Sequence, residues 1–256
     1  MSRVLVLSDI HGNIDALESV LDSIAFDEVI VLGDLVDYGP EPGMVIDVIR
    51  ELDPIAIVRG NHDHAVAYNV DCRCGEATHW LSVYTREHIS KKSLSRNDIA
   101  FLRNLPLKNI VDISSMKLAV VHASLEDPLY DYLYPWLNDA EITRRTIDKT
   151  LNEHPHIILV GHTHYQFCRR VKDALLVNPG SVGQPRDGDP RASCIVIETD
   201  RDWPKITFVR IKYPVEKTIM RLREHGIEDV YLRTLEYILK NAVVPRNHKA
   251  IHGDQQ

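Results

Sequence analysis

A short apolar, β-branched run that stops abruptly at polar residues recurs along the 256-residue chain. It occupies residues 3–8 (RVLVLS) before Asp9, 28–32 (EVIVL) before Gly33-Asp34, and 55–59 (IAIVR) before Gly60-Asn61-His62-Asp63. It returns at 117–121 (KLAVV) before His122 and at 156–160 (HIILV) before Gly161-His162. Runs of this length and composition predict buried strands. Further strands are predicted at 174–177, 193–198 and 205–211.

Helical patterns fall between them. Ile14, Leu17, Val20, Leu21 and Ile24 recur at spacings of three and four, with Asn13 placed to cap the start. A second helix is predicted over 42–52 and a third over 80–89, and Ser95-Arg96-Asn97-Asp98 reads as a capping box opening a fourth. Two more follow at about 215–225 and 227–240, separated by Gly226. Strand and helix alternate, which predicts an α/β fold with mostly parallel central strands. The expected organisation is one domain over 1–245, in which 64–107 forms a helical, lid-like insert beside the site entrance and 213–245 carries the C-terminal helices; 246–256 is expected to be a loose tail. No internal repeat or clean domain boundary interrupts it.

With 44% hydrophobic and 26% charged residues, the chain has the composition of a soluble globular protein that needs no disulfide or structural metal to fold. A net charge of −7 argues against a stable nucleic-acid complex or binding to anionic membranes, and leaves room for a nucleotide substrate at a local metal cluster. No run of about 18 apolar residues predicts a membrane span, and the N-terminal stretch ends on Asp9 and His11, so it reads as a first strand rather than a signal peptide. A cytoplasmic location is expected. Cys72 and Cys74 lack the C-x₂-C spacing of a zinc knuckle, so reduced thiols are expected there.

The chemistry gathers at the strand ends. In open α/β sheets ligands bind beyond the carboxyl ends of the strands, where the loops converge on one crevice. Here five strands end in Asp-x-His, Gly-Asp, Gly-Asn-His-Asp, His and Gly-His-x-His, all of them metal-ligand types. A period of two in Asp9-Ile10-His11 and in His162-Thr163-His164 lets each pair aim at a common ion cluster, with Ile10 turned into the core.

Those five blocks, in that order across residues 9–164, resemble the signature of the calcineurin-like metallophosphoesterases. Gly39-Pro40, residues 80–89 with 101–106, and Asn178-Pro179-Gly180-Ser181-Val182-Gly183 extend the resemblance to small, single-domain prokaryotic phosphodiesterase-like members. The resemblance implies a layered α/β/β/α sandwich with two central mixed sheets flanked by helices. It assigns one metal to Asp9, His11, Asp34 and His164 and the second to Asp34, Asn61, His122 and His162, with Asp34 as bridge. A carboxylate has two oxygens and a charge to offset two cations roughly 3.5–4 Å apart. Mixed N/O ligands suit Mn²⁺, Fe, Zn²⁺ or Ni²⁺, and Mn²⁺ is the expected activating ion.

The implied reaction is hydrolysis of a phosphoester, a phosphodiester first and a phosphomonoester or phosphoprotein second, by in-line attack of a metal-bridging hydroxide. The resemblance puts Asn61 and His62 beside the substrate phosphate, His62 as general acid or charge stabiliser, and Asp63 behind His62 to hold its tautomer. Asp37 reads equally as a hydrogen-bond partner of a ligand or as a turn residue, and for Arg59 and Arg186 a surface role is expected ahead of contact with phosphate oxygens. A catalytically silent scaffold of the same fold is disfavoured because His62 and every ligand position are present. The implied partner is a small phosphoester or nucleotide.

Overall fold

The computed structural model describes residues 2–149, 154–199 and 204–245. In β1 (Arg3–Leu7), Val4 and Val6 face one way and Leu5 and Leu7 the other, and all four are fully buried. A strand that is apolar on both faces needs a layer on each side. The chain supplies them in the order α1 (Ile14–Ser23), β2 (Glu28–Val31), α2 (Pro42–Glu51), β3 (Ala56–Ile57), α3 (Asn61–Tyr68) and α4 (Glu76–Thr85). A π-helical turn (Arg86–Ser90) leads into α5 (Lys91–Ser93), α6 (Arg96–Asn104), β4 (Lys108–Ile113), β5 (Met116–Val121) and α7 (Asp139–Arg145). Then come β6 (Ile157–Leu159), β7 (Gln166–Val171), β8 (Ala174–Pro179), β9 (Ala192–Glu198), β10 (Lys205–Ile211), α8 (Val215–Glu224) and α9 (Asp229–Asn241).

Ten strands among the described residues form two five-stranded sheets, in the orders β10-β9-β1-β2-β3 and β4-β5-β6-β8-β7. Both are mixed. The central pairings β1–β2, β2–β3, β5–β6 and β6–β8 are parallel, and β9, β10, β4 and β7 join antiparallel. Val4, Val6, Ile30, Ile195 and Ile197 of one sheet interlock with Leu118, Val120, Ile157, Leu159 and Val177 of the other. Outside the first sheet, Leu5, Leu7, Val29 and Val31 pack on α1 and α2. Outside the second, Ala119, Val121, Ile158 and Leu176 pack on Ile142 of α7. The protein is therefore an α/β/β/α sandwich, as the sequence reading has it.

Two strands escape the sequence pattern, β4 and β7. Both are edge strands of the second sheet, and their burial alternates or fails along their length, so neither shows a continuous apolar run. The helix α3 is also absent from the reading; it begins on Asn61 itself, so the third block is a strand-to-helix turn.

Register brings the parallel strand ends level. Leu7 pairs with Val31 and Val31 with Ile57 in one sheet, and Val120 with Leu159 in the other. The segments leaving these strands carry Asp9, Asp34, Asn61, His122 and His162 to one edge of the sandwich. The 64–107 segment divides: Leu102 and Leu105 join the α1–α2 core, while Leu81, Tyr84 and Ile89 pack with Ile219, Leu222, Leu235 and Ile238 of α8 and α9. The C-terminal helices thus cover the insert, and α8 also packs on α1, where Thr218, Lys217 and Arg221 reach Asp15. No helix among the described residues is long and apolar enough to cross a membrane. The tail expected at 246–256 lies outside the described residues.

Candidate metal centre

All seven residues of the sequence-derived ligand set are buried together. Asp9, His11 and His164 form one group of facing donors, and Asp34, His122 and His162 form another. The Asn61 Oδ1 lies 3.1 Å from His122 Nε2, because its Nδ2 donates to the Cys72 carbonyl at 2.8 Å and fixes the amide the other way round.

These side chains converge by a route the period-two argument does not describe. β1 ends at Leu7, and Asp9, His11, Asp34, His162 and His164 all have φ between 49 and 64°. For residues with a Cβ this left-handed conformation is strained, and the surrounding structure has to impose it. It is imposed by backbone hydrogen bonds between adjacent loops, from Asp9 N–H to the Gly33 carbonyl and from His11 N–H to the Asp34 carbonyl at 2.9 Å. Ile10 points into the α1–α2 core as expected. Room for this close approach comes from glycine: a Cβ on Gly60 would stand 2.0 Å from Asp34 Oδ1, and one on Gly161 2.0 Å from Ser8 Oγ.

The tautomers are set from behind. His11 Nδ1 donates to the Val36 carbonyl at 2.9 Å, His122 Nδ1 to the Leu32 carbonyl at 2.7 Å, and His164 Nδ1 to the Gln184 carbonyl at 2.5 Å. A backbone carbonyl accepts only an N–H, so each ring in its neutral form carries its lone pair on Nε2, the arrangement usual for metal-binding histidine. Those lone pairs then meet other acceptors. His11 Nε2 is 3.3 Å from His164 Nε2, and His122 Nε2 is 3.2 Å from His162 Nδ1. Asp9 Oδ1 and Asp34 Oδ2 are buried without a hydrogen bond, Asp9 Oδ1 at 3.3 Å from His164 Nε2 and Asp34 Oδ2 at 3.3 Å from His122 Nε2 and 3.8 Å from His11 Nε2. Buried acceptors turned toward one another are costly unless a cation lies among them, so the residues present fit divalent metal ions.

The electrostatics agree. Burial alone would raise both carboxyls, but the imidazole of His164 holds Asp9, and that of His122 holds Asp34, below the ordinary carboxylate range. Burial pushes His11 down to about 3 and His162 well below its usual value. His122 goes the other way, up to about 9, because the Asp34 carboxylate outweighs its burial. Asp34 thus favours positive charge at His122 Nε2, the place where a metal ion would displace a proton.

His62 stands at the edge of the cluster, its Nε2 4.0 Å from Asp34 Oδ2 and its ring edge-on to His11 at 5.0 Å. The carboxylate behind it is not Asp63. Asp63 accepts from the backbone N–H groups of Asp34 and Leu35, each at 2.8 Å, and of Gly60 at 3.0 Å, so it ties β2 to the start of α3. Residue 63 sits in the first helical turn, where a carboxylate turns back to close the capping box. Asp37 takes the place instead, with Oδ2 3.0 Å from His62 Nδ1. The same oxygen accepts from Arg86 Nε at 2.9 Å and Nη2 at 2.8 Å, and Ser90 Oγ donates to Asp37 Oδ1 at 3.0 Å. Burial disfavours an imidazolium at His62, yet Asp34 and Asp37 together raise its pKa.

Sequence reasoning passed over Ser82, Arg86 and Ser90, although a signal is present. They recur every four residues through α4 and the π-helical turn, a polar stripe that runs beside the apolar Leu81, Tyr84 and Ile89. Ser82 Oγ lies 3.1 Å from His62 Nδ1 and accepts from Arg86 Nη2 at 2.8 Å. Cys72 and Cys74 are free and buried, with sulfurs 2.8 Å apart beside His62. Asn178 Nδ2 donates to the Gly161 carbonyl at 2.7 Å and thereby pins the loop that carries His162 and His164. Of the two arginines expected at the surface, Arg59 is buried and Arg186 is half-buried. Arg59 is buried against Tyr68 and the Arg103 carbonyl, away from the cluster, and Arg186 lies over the Tyr38 ring at 5.5 Å.

Comparison with known proteins places this geometry. Residues 2–202 match the calcineurin-like phosphoesterase superfamily domain. The uncharacterized protein MJ0912 of Methanocaldococcus jannaschii is 32% identical over 250 residues, 89% of this chain and 95% of that one. A metallophosphoesterase structure from Sphaerobacter thermophilus superposes with a TM-score of 0.78 at 29% identity, covering 94% of this chain and 99% of the other. The phosphodiesterase YfcE of Escherichia coli K12 is 23% identical over 212 residues, 78% of this chain and 89% of its own.

Proposed function

The chain belongs to the calcineurin-like phosphoesterase superfamily, and from that premise we propose that it hydrolyses phosphodiesters at a centre of two divalent metal ions. Asp9, His11, Asp34 and His164 would hold one ion, and Asp34, Asn61, His122 and His162 the other. The observation that carries this reading is Asp34 Oδ2, a buried oxygen with no hydrogen bond that faces His122 Nε2 at 3.3 Å and His11 Nε2 at 3.8 Å, one ring from each group. That supports Asp34 as the shared ligand. Bound divalent metals would supply Lewis acidity, neutralising charge on the phosphoryl oxygens and lowering the pKa of water. Mn²⁺ is the ion we expect to serve best among those that suit N/O ligands.

The chain's own part is positioning and proton delivery. Asn61 and His62 stand where the phosphate meets the protein, and His62 Nε2 carries the proton passed to the departing oxygen. Asp37 accepts from His62 Nδ1 at 3.0 Å, which keeps a proton on that nitrogen and stabilises the imidazolium. Asp63 we assign to holding the Asp34 and Gly60 loops together. Residues 1–245 act as one unit in this reading, in the cytoplasm.

Preference for diesters rests on the likeness to YfcE, named a phosphodiesterase. Purified protein supplied with Mn²⁺ should cleave bis(p-nitrophenyl) phosphate faster than p-nitrophenyl phosphate. The reverse order would make it a phosphomonoesterase, and inactivity on both would remove the enzyme reading in favour of a silent scaffold.

A further inference from the structure

Cys72 and Cys74 flank a turn that brings their sulfurs to 2.8 Å. In an extended segment, residues separated by one other have Cα atoms about 6.6 Å apart, near the upper end of what a disulfide spans. Arg73 shortens that distance by adopting φ 48°. The conformation is strained for a residue with a Cβ, and two contacts hold it. The Arg73 N–H donates to Asp71 Oδ1 at 2.6 Å, and the Arg73 guanidinium lies over the Tyr130 ring at 4.9 Å. Both cysteines are free, and a bond of about 2.05 Å between them needs only a small closure from 2.8 Å.

Cysteines kept only for packing behave as small hydrophobes among apolar neighbours. Here the surroundings are polar. Ser82 Oγ is 3.4 Å from Cys72 Sγ, the Arg86 guanidinium reaches the same sulfur, and the Tyr38 hydroxyl donates to Cys74 Sγ at 3.7 Å. A cation beside one thiol, with a second thiol in contact, is the setting of a reactive pair. Cys74 is 8% exposed, and Gly75 to Thr78 line a cleft of about 620 Å³, so a small oxidant has a way in.

The pair also adjoins the residues of the metal centre. The Cys72 carbonyl accepts from Asn61 Nδ2 at 2.8 Å and so sets which way that amide faces. Ser82, next to the Cys72 sulfur, has its Oγ 3.2 Å from Asp37 Oδ2 and 3.1 Å from His62 Nδ1. Drawing the two sulfurs together shifts Cys72, and both contacts move with it.

We infer that Cys72 and Cys74 form an oxidation site, a dithiol that hydrogen peroxide converts to a disulfide and that thereby turns the neighbouring centre down. Cys72, having released its proton, attacks one oxygen of the peroxide as thiolate. The O–O bond breaks, hydroxide leaves, and Cys72 becomes a sulfenic acid. The Cys74 thiol gives its proton to that hydroxide, and its sulfur attacks Cys72. The S–O bond then breaks, and the second hydroxide takes up the proton that Cys72 released. Two thiols and one peroxide give one disulfide and two waters, the peroxide gaining the two electrons that the sulfurs lose. A dithiol reductant reverses the change by exchange. The oxidation stands on its own chemistry; its effect on the rate rests on the proposed phosphoesterase reading.

The test treats the Mn²⁺-loaded protein with hydrogen peroxide, stops the reaction with catalase, and alkylates the remaining thiols before denaturation and trypsin digestion. Trypsin cuts after Arg73 and so separates residues 60–73 from 74–86. The bridge should therefore appear as those two peptides joined, and dithiothreitol should part them. Hydrolysis of bis(p-nitrophenyl) phosphate should fall at least about tenfold as the joined peptides accumulate, and dithiothreitol should restore it. Cys74→Ser, which leaves the Cys72 carbonyl and Ser82 in place, should give no joined peptides and a dimedone adduct on residues 60–73. Loss of activity without the joined peptides, or joined peptides at an unchanged rate, would overturn the inference. Should the untreated protein hydrolyse nothing, the phosphoesterase reading fails by itself. The joined peptides then decide the oxidation site, their formation upholding it and their absence overturning it.

Discussion

Asp37 and His62 are joined by a 3.0 Å hydrogen bond at full burial, and Arg86 makes two bonds to the same Asp37 oxygen. A buried carboxylate that serves a cation on one side and an imidazole on the other stays ionised, which is the condition for stabilising His62 once it is protonated. Burial by itself would neutralise Asp37; the His62 bond and the Arg86 charge hold its pKa below the usual range. The insert therefore does more than flank the centre, since Ser82, Arg86 and Ser90 all fix the residue behind His62.

Replacement of His62 by Gln should lower kcat on bis(p-nitrophenyl) phosphate by roughly 10²–10⁴-fold, the usual worth of a positioned proton donor. Asp37→Asn should lose a smaller factor, on the order of tenfold or more, with KM little changed. Its pH–rate profile should also change: with Asp37 neutral, the limb that reports His62 ionisation moves to lower pH, because the pKa of an imidazolium falls when a neighbouring negative charge is removed. A profile identical to that of the unaltered protein would take Asp37 out of this role.

Asp34→Asn removes a charge between the two groups of proposed ligands at once. Metal analysis after gel filtration should show both ions depleted, with hydrolysis gone, whereas His11→Ala should deplete one ion more than the other. Chelation followed by Mn²⁺ should restore the unaltered protein and leave Asp34→Asn inactive. Retention of two ions per chain by Asp34→Asn would mean that the shared ligand is misassigned.

Much of the fold was legible because its central strands are buried on both faces and so read as unbroken apolar runs. Val4 to Leu7 is the clearest instance, with neighbouring residues feeding opposite cores. The edge strands β4 and β7 give no such run, since alternate positions face solvent. The cluster of buried donors was legible by residue type at strand ends, although the left-handed turns at Asp9, His11, Asp34, His162 and His164 were not. Nothing in a period-two pattern reveals a backbone conformation imposed by the next loop. The Asp63 role was misread for a related reason. Adjacency to His62 in sequence suggested adjacency of side chains, but the first turn of α3 sends the two residues in different directions and lets a residue 25 positions away reach the ring.

Gly60→Ala tests how closely the loops are required to approach. The new Cβ would stand 2.0 Å from Asp34 Oδ1 and 2.5 Å from the Asp34 nitrogen, and backbone there cannot yield. Overpacking of this kind costs about 1–3 kcal/mol, and here it displaces Asp34 as well. Metal content and activity should both fall at least about tenfold. Gly43→Ala in α2 is the matched control: the nearest atom to its Cβ is the Ser93 carbonyl at 3.7 Å, an ordinary contact, so helix propensity should leave the protein as stable as before or slightly more so.

Asp63→Asn separates support from catalysis. The carboxylate accepts three backbone N–H groups, and an amide offers only one acceptor oxygen while turning an NH₂ toward the remaining donors. Each buried N–H left unpaired costs about 1–3 kcal/mol, so the variant should lose roughly 2–5 kcal/mol, a fall in Tm of about 5–15 °C for a chain of this size. The rate per metal-loaded molecule should fall less than in His62→Gln, because Asp37 still holds the ring. Were Asp63 instead the residue that sets the His62 tautomer, kcat would drop steeply while Tm stayed within a degree or two. Calorimetry and rate measurements on one preparation distinguish the two.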